Sequence, residues 1–350
     1  MSASHVQKWF PWVLSPVICN GPMIGAACPA LAAEVSKAGG IGFLSSVFDV
    51  SKNSAQLSKL DADLTESKAL LGSGAGVPLR IGISFITGHG SIGLFAETAL
   101  PTIAKHRPAA VWLFAPAEDG AVRPHGAIVR ALKALGGPTP RVFVQVGNVA
   151  AAREAVADGA DVLVCQGIDA GGHQFRRGMG VVSLVPEVRK MLDEEFGGRQ
   201  VGLLAAGGIV DEKGVAAMMA LGKHFEFTVA DESIYPDHRK QLVLETVDGG
   251  SSTLKSPFND QINNSELWGP LYDGRAITGP IHDRFLAGSS LEECRKSLKE
   301  DYSPEESTKI INTWAGTGVG LVRTSLPAGE IVKEVREGAK DHIRKLAGLV

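Results

Sequence analysis

The sequence predicts a (β/α)8 TIM barrel of the α/β class, with an inserted, mostly helical subdomain. Three observations carry this prediction. Seven short apolar runs each lead through a turn into a helical pattern, at spacings of about 20 to 40 residues, as parallel βα units do. The first turn, Gly21-Pro22-Met23-Ile24-Gly25, has neither the GxGxxG spacing nor the acidic ribose ligand that a doubly wound dinucleotide-binding sheet places there. Finally, 42 glycines in 350 residues, with no repeat or low-complexity tract, point to many tight turns beside strands.

Residues 13–20 read as strand one, and Pro29 opens a helix over 29–38 that Gly39-Gly40 ends, the usual order of proline first and glycine last. Strand two is 41–44, with a helix over 52–71; strand three is 81–85, with a helix in 91–106; strand four is 109–114, with a helix over 126–135. Strand five is 141–146, followed by Asn148 as N-cap of a helix to 158. Strand six, 161–165, is a continuous apolar run that ends at Gln166, the pattern of a parallel strand buried on both faces. Strand seven is 201–205, followed by Gly207-Gly208-Ile209 and a helix over 211–221; strand eight falls on 225–229 and is shortened.

From 233 to 312 the rhythm stops, and Gly, Ser, Pro and Asn punctuate short segments around a charged helical piece at 291–300. A glycine-rich turn enters a helix at 317–322, and an amphipathic helix over 329–348 follows. The expected organisation is a barrel over 1–232, a substrate-covering subdomain over 233–312, and C-terminal helices over 313–350 that return to the barrel.

Net charge is −3 and the charges are spread along the chain, which argues against nucleic acid and membrane surfaces as partners and for small molecules. No run approaches the roughly 20 apolar residues of a membrane span, and residues 1–12 lack a signal-peptide core. Cys19, Cys28, Cys165 and Cys294 form no CxxC and no cluster at metal spacing, so they read as reduced, mostly buried thiols of a cytoplasmic protein without a metal site. The sequence carries no signal for oligomeric state.

The candidate site is Gln166-Gly167-Ile168-Asp169-Ala170-Gly171-Gly172-His173, because chemistry in such barrels sits just past the C-terminal ends of the strands. A lone histidine on a βα turn is as often a plain surface residue, but here glycines allow close backbone approach to a planar ligand, and the imidazole could work as base, acid or donor near neutral pH. Two further loops match what a flavin needs. Ala205-Ala206-Gly207-Gly208-Ile209 follows strand seven and opens a helix, so free N–H groups and the positive helix end can take a phosphate. Gly21-Pro22-Met23 ends strand one, where backbone atoms and the Met23 side chain could lie along the ring.

These residues resemble the FMN-dependent nitronate monooxygenases, formerly 2-nitropropane dioxygenases, over nearly the whole chain. The strongest matches are the 166–173 segment, like that family's Q-G-x-x-A-G-G-H signature, and the 205–209 segment; Gly21-Pro22-Met23 and Trp314-Ala315-Gly316-Thr317-Gly318-Val319-Gly320 are weaker. The resemblance implies FMN as cofactor, with Gln166 and Gly171 contacting it, Gly207 and Gly208 on its phosphate, Gly21, Pro22 and Met23 along its ring, and His173 as the catalytic residue. It further implies oxidation of alkyl nitronates by dioxygen to a carbonyl compound and nitrite, with neutral nitroalkanes accepted if His173 removes the α-proton.

Two departures stand out. Relatives end strand eight in a Gly-Thr pair that completes the phosphate cup, whereas no glycine occurs here between Gly222 and Gly249, so FMN is expected to bind less tightly. Ser84 stands where many relatives place an asparagine near the flavin, and its hydroxyl can still hydrogen-bond. Two other readings stay open: an FMN-dependent enoyl reductase-like oxidoreductase with a nicotinamide donor, and a barrel that has lost its cofactor and activity.

Overall fold

The structure, a computed structural model, describes residues 8–74, 77–117, 124–219 and 227–348. Six parallel strands pair in the order of the chain: β1 (Gly42–Val47), β2 (Leu79–Ile86), β3 (Pro108–Phe114), β4 (Arg141–Val146), β5 (Val162–Gln166) and then, past one strand that leaves the sheet, β7 (Gly202–Ala206). Sequential pairing without reversal of direction along the sheet is barrel order, not the reversed order of a doubly wound sheet.

Side-chain alternation along each strand produces two cores. Leu44, Ile83, Val111, Val144, Leu163 and Ala205 face the helices. Phe43, Trp112, Phe143, Val164 and Leu204 face inward. The inner face is curled on itself, since the Phe43 ring on β1 lies 5.1 Å from Trp112 on β3 and 5.5 Å from Phe143 on β4. The N-terminal Phe10, 1% exposed, closes the inner core from below against Phe143.

Helices form where the sequence places them. Pro29–Lys37 has its proline in the first turn, and Asn148 caps Val149–Asp158 by accepting from Ala151 N at 2.9 Å. Leu291–Glu300, and the unforeseen Pro304–Ile310 after it, each begin with a reciprocal capping box, Ser290 with Glu293 and Ser303 with Glu306.

Three elements differ from expectation. Strand one touches the sheet at a single parallel bridge, Cys19 to Ile41. Beyond it the Asn20 side chain does the pairing, donating to Phe43 O and accepting from Phe43 N, both at 2.8 Å. Pro16 supplies no ladder N–H to extend the strand in the other direction. Strand eight was expected over 225–229; residues 220–226 lie outside those described, together with the segment that lacks the Gly-Thr pair. Phe227 to Ala230 form a turn, with Ala230 N on Phe227 O at 3.2 Å, and Phe227 is fully buried in the outer core. The eighth helix position is nonetheless filled: Ala328–Ala347 packs between Glu212–Met219 and Pro29–Lys37, its first turn held by Glu232 Oε2 on Ala328 N at 2.8 Å.

The third difference concerns the segment that carries His173. It is not a plain βα loop but a strand, β6 (Gly172–Phe175). Together with β8 (Thr253–Ser256) and β9 (Tyr272–Ile277) it makes a small antiparallel sheet, with β9 in the middle. The inserted segment, otherwise helical, thus joins the barrel through shared strands. Arg176, just past β6, ties the arrangement to Asp273 of β9 at 2.9 Å.

Among the described residues no helix is long and apolar enough to cross a membrane. All four cysteines are free and buried, and burial pushes the Cys19 and Cys165 thiols up to about 12, which leaves them protonated and unreactive.

Candidate active site

The C-terminal end of the inner core is polar where the lower layers are aromatic and aliphatic. Ser46, Ser84, Trp112, Gln145 and Gln166 line the floor of a cavity of about 760 Å³. They are joined in two groups. Ser46 Oγ donates to Pro22 O (2.8 Å) and can accept from Ser84 Oγ (2.9 Å), which anchors the Gly21-Pro22-Met23 turn to β1 and β2. Trp112 Nε1 donates to Gln145 Oε1 (3.1 Å), and Gln145 Nε2 donates to Gln166 Oε1 (2.7 Å). This relay fixes the Gln166 amide so that its Nε2 is the donor left for an occupant of the cavity.

Gly21, Pro22, Met23, Ser84, Gln166, Gly171, His173, Gly207 and Gly208, the residues singled out from the sequence, all line this one cavity. Gly207 and Gly208 follow β7 with φ of +95° and +73°, a conformation that L side chains rarely adopt, and so present bare backbone to the cavity. The helix that follows is capped from within the chain, because Asp211 Oδ1 accepts from Gly214 N at 2.7 Å. The bare backbone that faces the cavity is therefore the Gly207-Gly208 turn more than the helix end. Gly171 has a second reason to be glycine: a Cβ there would lie 2.7 Å from the carbonyl carbon of Ala315. The weakly matching 314–320 segment packs on the signature loop itself, with Thr317 N on Asp169 O at 3.0 Å.

His173 is held on three sides. Its Nε2 lies 2.8 and 3.0 Å from the two carboxylate oxygens of Asp260, its ring stacks on Trp268 (centroids 3.7 Å apart, planes 8° apart), and Trp314 tilts against it at 4.7 Å. The side chains of His173 and Asp260 are 8% and 14% exposed. Asp260 and Trp268 were not foreseen. They come from the inserted segment, 87 and 95 positions along the chain, and the sequence holds no spacing that ties them to the histidine. Next to Asp260, Asn259 is buried and lines the same cavity with its Nδ2 unpartnered, a donor that an occupant with acceptor oxygens would satisfy.

Residues 124–338 match the family model for nitronate monooxygenase. A nitronate monooxygenase of Neurospora crassa is 45% identical over 98% of this chain and 94% of its own length. The chain belongs to the nitronate monooxygenase family. It is therefore an oxidoreductase of that family. Two solved structures share the fold: FabK from Thermotoga maritima, with a TM-score of 0.73 at 20% identity over 99% of both chains, and nitroalkane oxidase from Streptomyces ansochromogenes, with a TM-score of 0.69 at 21% identity over 97% of this chain and 99% of that one.

Proposed function

We propose that this nitronate monooxygenase family member binds FMN and oxidises alkyl nitronates with dioxygen to a carbonyl compound and nitrite, accepting neutral nitroalkanes after loss of the α-proton. The observation that carries the reading is the placement of His173, buried and oriented, in the same cavity as Gln166 and the Gly207-Gly208 turn. Three features of the cavity fit FMN: its volume is in the range of cofactor pockets, its floor offers fixed amide and hydroxyl groups to a polar ring edge, and the turn after β7 offers bare backbone to a phosphate. Bound there, the flavin supplies acceptance of electrons from the nitronate and their delivery to dioxygen.

The chain's own residues do the rest. Gly21, Pro22, Met23, Ser84 and Gly171 line the ring, Gln166 donates to it, and Gly207 and Gly208 hold the phosphate. His173 meets the nitro group, as donor to a nitronate or as base toward a neutral nitroalkane. Trp268 and Trp314 exclude water beside it, and residues 233–312 cover the substrate. The four unpaired thiols support a reducing compartment, the cytoplasm.

A visible absorbance spectrum of the purified protein tests the reading, followed by anaerobic addition of ethyl nitronate and, separately, NADH. Flavin bands that are bleached by the nitronate and not by NADH are expected. A colourless protein that takes up no FMN overturns the proposal in favour of a silent barrel, and bleaching by NADH alone overturns it in favour of an enoyl reductase-like enzyme.

A further inference from the structure

We infer that Asp260 is a positioning residue that fixes the tautomer of His173 and thereby makes Nδ1 the base for neutral nitroalkanes; this rests on the function proposed above. Both carboxylate oxygens of Asp260 lie within hydrogen-bond distance of His173 Nε2, at 2.8 and 3.0 Å. An ionised carboxylate accepts and cannot donate, so Nε2 carries the proton and the neutral ring keeps its lone pair on Nδ1. Nδ1 has no hydrogen-bond partner among the described residues, and His173 lines the cavity. Stacking on Trp268 holds the ring plane, and the contact of Nε2 with Asp260 sets which edge of the ring faces the carboxylate.

Asp260 is itself braced. It sits in the short helix Phe258–Ile262, whose Asn259 Oδ1 accepts from Asn312 N at 3.3 Å, while Asn263 Nδ2 donates to Asn312 Oδ1 at 3.0 Å. The helix is thereby fastened to the strand-like segment that carries Trp314. Every group that orients the imidazole ring belongs to the inserted segment or to the chain just after it. The insertion consequently completes the base as well as covering the mouth.

The step balances within the pair. The α C–H bond of the nitroalkane breaks, its electron pair forms the C=N bond of the nitronate with negative charge on the nitro oxygens, and the proton goes to Nδ1. The resulting imidazolium lies against the Asp260 carboxylate, whose charge offsets its own. A preformed nitronate needs no such transfer, so it depends on Asp260 less.

The test compares steady-state kcat/KM on nitroethane and on preformed ethyl nitronate for the parent, Asp260→Asn, Asp260→Glu and His173→Ala, with flavin content and melting temperature measured on each. Asp260→Asn can present an N–H to Nε2 and force the proton onto Nδ1. It is expected to lose about 10²-fold on nitroethane, at least about tenfold more than on ethyl nitronate, with flavin content retained. Asp260→Glu, which keeps the carboxylate, should recover part of that loss, and the deuterium isotope effect with 1,1-dideuteronitroethane should rise in Asp260→Asn. Equal losses on both substrates, or no loss on nitroethane while His173→Ala is impaired there, overturn the inference and leave the proposed function standing. No loss for His173→Ala on nitroethane overturns the base assignment itself and the inference with it.

Discussion

Arg336 in the C-terminal helix donates from Nη1 to Ala38 O at 2.8 Å and from Nη2 to Gly39 O at 2.9 Å, and is 2% exposed. A buried cation is tolerated only when paired or hydrogen-bonded, and here the carbonyl end of the helix Pro29–Lys37 provides both the acceptors and the negative end of a helix dipole. The contact latches the helix Ala328–Ala347 to the helix Pro29–Lys37. It closes the helical ring at the position where no eighth strand is found among the described residues.

Arg336→Met should therefore destabilise strongly while the site chemistry is kept. It leaves the buried Ala38 carbonyl without a donor and takes one of two donors from Gly39 O, which keeps Leu14 N at 2.9 Å, and hydrogen bonds to charged groups are worth about 1.5–3 kcal/mol each. A loss of about 3 kcal/mol or more in urea unfolding is expected, with kcat on ethyl nitronate at low temperature changed less than about twofold. A loss below about 1 kcal/mol would mean that the latch contributes little.

Trp268→Leu should act on the base without touching the cofactor. The stacked ring is worth about 0.5–1.5 kcal/mol beyond its buried area, so kcat/KM on nitroethane should fall about three- to tenfold through a less ordered His173. Flavin content measured by absorbance is expected to be unchanged; a colourless variant would place Trp268 on the cofactor.

Gln145→Leu should weaken cofactor binding through Gln166. Gln145 orients Gln166 through a 2.7 Å hydrogen bond, and without it the Gln166 amide is free to turn. A net loss of about 0.5–1.5 kcal/mol corresponds to a dissociation constant raised by up to about tenfold, read by fluorescence titration with FMN. Unaltered affinity would show that Gln166 does not need the relay.

Stability should fall on mild acidification because of His125. This residue is buried beside Thr87, with Nε2 2.8 Å from Thr87 Oγ1, and burial pushes its imidazole down to about 4 from an ordinary 6.5. Below 6.5 the unfolded chain binds a proton that the folded one refuses, so the stability contribution is complete above pH 6.5 and is lost as pH falls toward 4. The full amount is on the order of 3 kcal/mol. His125→Gln should flatten the dependence of melting temperature on pH between 7 and 5; an unchanged slope would assign the acid sensitivity to other groups.

The βα rhythm, the helix caps and the six paired strands are legible in the chain alone, because they are set by local periodicity and by residues such as Pro29, Asn148 and Gly207-Gly208 acting on their own neighbours. The sequence also placed His173, Gly21-Pro22-Met23 and Gly207-Gly208 around one cavity, because barrel geometry brings the C-terminal ends of successive strands to one mouth whatever their spacing. What orients His173 came from the packing of distant segments. Asp260 and Trp268 arrive from an insertion whose register against β6 is fixed by strand pairing with β9, and a contact between residues 87 or more positions apart leaves no periodic trace. The same holds for Gly171, whose missing side chain makes room for the Ala315 backbone, and for the last helix, which fills the eighth position where Arg336 reaches the carbonyls of Ala38 and Gly39. Local rules position a residue on its element; which elements meet is settled by the packing of the whole chain.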